Sequence, residues 1–227
     1  MKLAGILIAI VVLALVLPFF VPAGGPGESA ESSLPWQVEA DGTGGSRVFG
    51  LQPGTSTLAD VKQRFGADID VGILAAPGET GMLEGYYDNV SLGFVTAKLV
   101  VTLDAAPQTV ASMRERSADS EYMESANATR RMHLHADDLA AIERMPIRAI
   151  SVIPALSLDD AAVVQRFGEP AERIAMSETQ THLLYPQRGL DILVDAKRKE
   201  LLQYVAPRDF DKLLRAPLKA QKPAAAG

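Results

Sequence analysis

The chain contains no cysteine. That absence excludes disulfides, thiolate metal sites and a lipid-modified N-terminal cysteine, so the fold must stand on packing alone. Histidine is also scarce, at three residues, and Trp36 is the only tryptophan. No glycine-rich phosphate loop is visible, because Gly42-x-Gly44-Gly45 sits in a polar stretch before a strand, and no cofactor motif stands out. Positive charge is in deficit: the formal net charge is −6. With nothing to offset phosphate repulsion, nucleic acid is a poor partner. At 227 residues the chain can still form one large or two small domains with a real core.

What is present begins with one long apolar run. Leu3 to Val21 carries no charge and only Pro18 as a helix-disfavouring residue. At helical rise it reaches roughly 28 Å, the thickness of a bilayer hydrocarbon core. Lys2 and the amino terminus precede it, which keeps the N-terminus cytoplasmic and exports the rest. Residues 1–23 therefore read as an anchor in the inner membrane, single-pass, with the folded part periplasmic. Cleavage as a signal peptide after Val21-Pro22-Ala23 is the other outcome, with the same topology. Residues 24–45 are rich in Gly, Ser, Glu and Pro and read as a flexible linker. Trp36 within it is expected to pack against the domain in preference to the membrane interface.

The most informative pattern is an internal echo. Thr57 to Gly66 recurs without a gap as Asp159 to Gly168, sharing an Ala, a Val and the run Gln-Arg-Phe-Gly. Thr57 and Asp159 are N-caps by type, since their side-chain oxygens accept first-turn amide hydrogens. Val61 with Phe65, and Val163 with Phe167, are four apart and share one face. Gly66 and Gly168 stand where a positive-φ residue closes a helix. Each copy reads as a two-turn helix with one apolar stripe.

Short alternating runs follow both copies. Ile69 to Ala75, Met82 to Asp88 and Val90 to Thr102 follow the first, with a turn expected at Asp88-Asn89. Arg173 to Ser177, His182 to Tyr185, Leu190 to Val194 and Leu201 to Val205 follow the second. Such runs are antiparallel strands in a meander, whose apolar face a striped helix can cover. Between them lie a helix Pro107 to Arg116, a strand near Thr129 to His135, a helix Asp137 to Met145 and a central strand Ile147 to Ile153. A last helix is expected from Arg208 to Arg215.

The fold class is then α+β: two tandem helix-on-antiparallel-sheet modules behind one N-terminal transmembrane helix. The first module spans 46–146, the second 147–216, and 217–227 forms a disordered tail. Equivalent stripes imply that Phe65→Ala and Phe167→Ala each cost roughly 3–5 kcal/mol.

At the repeat the chain resembles the SmpA/OmlA (BamE-like) envelope proteins. Gly54, Thr57, Val61, Phe65 and Gly66 match their motif in the first copy, with Gly54 one residue further from Thr57 and no Pro following. The second copy has the ending, Gly168-Glu169-Pro170, and lacks the opening Gly. As a tandem pair the units are similar, at fold level, to the β-lactamase-inhibitor-like proteins. The resemblance implies a non-enzymatic protein-binding or scaffold module of the bacterial envelope, with an envelope protein as partner. Members of that family attach through a lipidated Cys, so that attachment and its role do not carry over.

Three chemical readings compete with this one. His133 and His135 share one face of a strand, near Asp137 and Asp138, as in a metal-dependent hydrolase. No third and fourth ligand is apparent, and one of the two Asp is expected to cap the following helix. Ser151 or Ser157 could serve a Ser-His-Asp set, yet neither has a nucleophile-elbow pattern. A small ligand or cell-wall fragment could bind in a cleft between the modules. For a protein interface the candidates are Tyr86, Tyr87, Phe94 and Tyr185, with half-buried sheet residues as the plainer reading.

Overall fold

The computed structural model describes residues 33–117, 119–122 and 129–221. The apolar run 3–21, residues 24–32 of the expected linker and residues 222–227 lie outside the described residues. Among the described residues, no helix is long and apolar enough to cross a membrane.

Described elements run in chain order as β1 Glu39–Ala40, β2 Ser46–Arg47, α1 Leu58–Phe65, β3 Asp70–Ala75, β4 Met82–Leu92 and β5 Val95–Leu103. Then come α2 Pro107–Arg116, β6 Ser120–Tyr122, β7 Arg130–His133, α3 Ala136–Ile142 and β8 Ile147–Pro154. They continue with α4 Asp160–Phe167, β9 Glu172–Ala175, β10 Gln180–Tyr185, β11 Leu190–Asp195, β12 Leu201–Val205 and α5 Ala216–Gln221. A 3-10 turn at Pro207–Asp209 and a π-turn at Asp211–Arg215 lead into α5. The fold is α+β, with a 10-stranded antiparallel sheet in the order β6-β7-β3-β4-β5-β8-β12-β11-β10-β9.

The expected caps explain why two such short helices exist. Thr57 Oγ1 accepts from Asp60 N and the Asp60 carboxylate accepts from Thr57 N, a full capping box. Asp159 Oδ1 accepts from Ala162 N at 2.7 Å. Each helix ends on a glycine at positive φ, +104° at Gly66 and +77° at Gly168. Their N–H groups bond Lys62 O and Val164 O, both at 2.8 Å. A tyrosine from the second strand then holds each end: Tyr87 Oη donates to Gly66 O at 2.5 Å and Tyr185 Oη to Gly168 O at 2.9 Å.

The pairing registers obey an approximate two-fold relation. Glu84 opposite Gly72 corresponds to His182 opposite Ile174. Tyr87 opposite Leu99 corresponds to Tyr185 opposite Leu190. Leu99 opposite Val152 corresponds to Leu190 opposite Tyr204. Ser151 and Gln203 are therefore equivalent residues, and they face each other where β8 pairs β12. The axis passes between them. β8, expected to open the second module, pairs β5 on one side and β12 on the other, so it also closes the first meander.

One sheet face, here the inner face, carries the main core. Its residues include Leu83, Leu99, Val101, Ile150, Val152, Ile192 and Leu202, all fully buried, with Val61, Val110, Ile142 and Val163 from α1 to α4 in the same cluster. Segment 33–45, expected to be a flexible spacer, is packed here from Ser33 to Val38. Leu34 is buried, Tyr204 Oη donates to Pro35 O at 2.7 Å, and Trp36 stands 6.2 Å from Phe167 and 5.9 Å from Phe94. The repeat arginines grip the same segment. Arg64 donates to Phe49 O and Ser33 Oγ, and Arg166 lies 5.5 Å from the Trp36 ring centroid. Trp36 packs on the domain as its type led one to expect; the polar composition of its neighbours gave no sign that they would order with it, because the order comes from partners distant in sequence.

Three other expectations are corrected. Asp88-Asn89 is not a turn: the register shifts there between Tyr87 and Val90, a bulge, and β4 runs on to a two-residue turn at Gly93-Phe94. The expected tail from 217 is helical as far as Gln221, with Leu218 packed on a second apolar cluster. The two stripes are also unequal. Phe167 is 1% exposed beneath Trp36, whereas Phe65 is half-buried against Tyr87 with no tryptophan above it.

Phe167→Ala should therefore destabilise by about 3–5 kcal/mol in urea titrations, and Phe65→Ala by about half as much or less. Equal losses would mean that Trp36 does not seal the second helix.

Candidate functional site

The opposite, outer face of the sheet is where the two halves differ. Over β9 to β12 it is covered by the C-terminal segment, whose Phe210 and Leu214 pack on Ile174, Leu184 and Val205. Arg215 and Lys219 of that segment reach the Glu172 carboxylate at 3.1 and 2.8 Å. Over β3, β4, β5 and β8 no described helix takes that position. Leu74, Tyr86, Val100 and Ile153 are half-buried there, and Leu201 of β12 continues the row beside Ile153. None of the five packs in either apolar cluster.

Charged and polar groups border this open surface. Lys98 bonds the Asp88 carboxylate at 2.8 Å and Tyr86 Oη at 3.1 Å. Those bonds hold the Asp88 carboxyl below the usual range and raise the Lys98 ammonium above its own. Arg131 crosses above Gly72, where a Cβ would lie 3.3 Å from its Nε, and bonds both the carbonyl and the carboxylate of Asp70. Burial raises the Glu84 carboxyl, opposed by a bond from Thr102 and by the Arg131 charge.

The sequence candidates scatter. Phe94, at the β4–β5 turn, is 78% exposed, and Tyr86 lies half-buried on the outer face. Tyr87 and Tyr185, expected at an interface, are both buried at 6% exposure with their hydroxyls bonded to helix ends. They are core residues. Burial with loss of the hydroxyl's water pushes Tyr87 up to about 12. His133 is exposed near Glu121, while His135 is itself the N-cap of α3, accepting from Asp137 N at 3.3 Å. The capping role expected of Asp137 or Asp138 is thus filled by histidine, and Asp138 is buried against Arg116. Among the described residues no group of three potential ligands could hold a metal.

One feature escaped sequence reading. His182 Nδ1 and Asp191 Oδ2 lie 2.8 Å apart on β10 and β11, with Asp191 0% exposed. Asp191 Oδ1 is buried without a hydrogen-bond partner. Burial raises the Asp191 carboxyl against the stabilising effect of His182. The two residues are nine apart, a spacing that any hairpin could produce, so only strand register identifies the pair. Ser151 is not brought to it: that residue lies two strands from Asp191, across Gln203, about 10 Å by strand spacing, and three strands from His182. The two halves of the sheet, between which a cleft was expected, join through the β8–β12 ladder.

No family model, no curated protein and no solved structure matches this chain.

His182→Leu leaves Asp191 without its partner and should cost about 3–5 kcal/mol at pH 7. Asp191→Asn should be tolerated far better. Because its raised carboxyl favours the protonated form, the stability Asp191 contributes is present at low pH and lost as pH rises. The Asn variant should accordingly gain on the parent between pH 4 and pH 7 in thermal melts. A parent curve that instead gains on the variant would contradict this sign.

Proposed function

We propose that this chain is a non-enzymatic protein-binding module of the bacterial cell envelope, built from two tandem copies of one helix-on-sheet unit. In this reading the segment Leu3 to Val21 anchors it in the inner membrane, with residue 33 onward in the periplasm. The charge order at the N-terminus and the length of the apolar run support that placement. The resemblance of the two Gln-Arg-Phe-Gly helices to SmpA/OmlA (BamE-like) proteins supports the same reading, as does the two-fold relation of the pairing registers.

The observation that carries the binding function is the open half of the outer face. A monomeric sheet normally alternates apolar-in and polar-out when one side meets water. Here the outward positions Leu74, Tyr86, Val100 and Ile153 are apolar or aromatic, and their neighbours Glu84 and Lys98 are charged. An apolar centre inside a polar border is the composition of a protein contact surface. Tyr86 suits it particularly, offering large area at small entropic cost.

The test uses the full chain carrying a photo-crosslinking residue at Val100 or at exposed Gln63 of α1, irradiated in envelope extract. Val100 should yield a discrete adduct and Gln63 should not. Adducts from neither position would refute a binding role for this face.

A further inference from the structure

The two-fold relation assigns a counterpart to every residue that seats the C-terminal segment. Ile174, Leu184 and Val205, buried under Phe210 and Leu214, correspond to Gly72, Tyr86 and Ile153. Ala149 and Met176, which complete that seat, correspond to Leu201 and Leu74. The filled seat is sealed by a helical segment with apolar residues at 210, 214 and 218 and basic residues at 215 and 219. The counterpart positions Leu74, Tyr86, Ile153 and Leu201 are all half-buried, and no described segment lies on them.

Charge follows the same relation. Glu172, which receives Arg215 and Lys219, corresponds to Asp70. The Asp70 side chain is 53% exposed although Arg131 already contacts it. Glu84 stands two strand-positions from Tyr86 on the same face and adds a second carboxyl. Lys98 on this border is neutralised by Asp88. The open seat therefore has the same order of features as the filled one, an apolar floor with a carboxylate at its edge.

We propose that the open half of the outer face is a docking seat for one amphipathic helix of a partner protein, with apolar residues four apart and a basic flank. The assignment rests on the protein-binding reading above and specifies its occupant. Bound there, the helix would lay its apolar stripe across Leu74, Tyr86, Ile153 and Leu201, and its basic flank would face Asp70 and Glu84. The second half of the sheet carries such a helix in cis, and the first half would receive one in trans.

The probe is a labelled synthetic peptide with the sequence of residues 207–221, added to the full chain. Anisotropy should show saturable binding that weakens tenfold or more in Ile153→Glu and Asp70→Lys, and that weakens with salt. Leu139→Glu, on exposed α3, should leave it unchanged. A photoreactive group at the peptide's Leu214 position should link to β3, β4, β5 or β8. Linkage to β9 or β10 would mean exchange with the resident segment and would overturn the proposal. So would absence of binding to a natively folded chain. If the peptide fails while Val100 still captures a discrete partner, this occupant is wrong and the protein-binding reading stands; if both fail, both are wrong. A dimer of the full chain that Ile153→Glu dissolves would reassign the seat to a second copy.

Discussion

The structure depends on the β8–β12 ladder. Two meanders of opposite chain order become one sheet because Ala149 to Val152 pair with Leu202 to Val205. Without that pairing each half would keep an unpaired edge in the middle of its hydrophobic face, an arrangement that invites aggregation. With it, Ile150, Val152, Leu202 and Tyr204 form a continuous buried centre, and the sheet edges move out to β6 and β9. Those edge strands are short, at three and four residues. Short edges limit the template offered to other chains.

A sheet this wide has two faces to satisfy. Helices α1 to α4 and the segment from Ser33 to Leu51 cover the inner one, and the repeated arginines and tyrosines tie those pieces down. Among the described residues, the outer face is covered by a helical segment over β9 to β12 only, and that segment follows β12. Chain connectivity explains the inequality. The residues after β8 must cross to the inner face to begin α4, so they cannot fold back as the residues after β12 do. Among the described residues, the segment after β12 packs on the outer face and none after β8 does.

Much of the local structure was legible from residue types. The caps at Thr57 and Asp159, the closing glycines, and the boundaries of Pro107–Arg116 and Leu201–Val205 follow from short-range hydrogen bonding and steric rules. Elements whose order depends on remote partners were not legible. Segment 33–45 looked like a spacer because its contacts are with Tyr204, Phe167 and Arg166. Asp88-Asn89 looked like a turn because a bulge places the same polar residues in the same local pattern.

The candidate surface divides in the same way. Residue types by themselves determined the α+β class and the two similar capped helices, since these depend on composition and on periods of a few residues. Tertiary structure alone decided that Tyr86 faces outward while Tyr87 and Tyr185 are buried, and that His182 meets Asp191. It also decided that, among the described residues, a segment packs on the outer face over β9 to β12 and none does over β3 to β8. Alternation along a strand says that neighbours point to opposite faces, but not which face another segment will cover. That choice is made by strand register and by where the chain goes next.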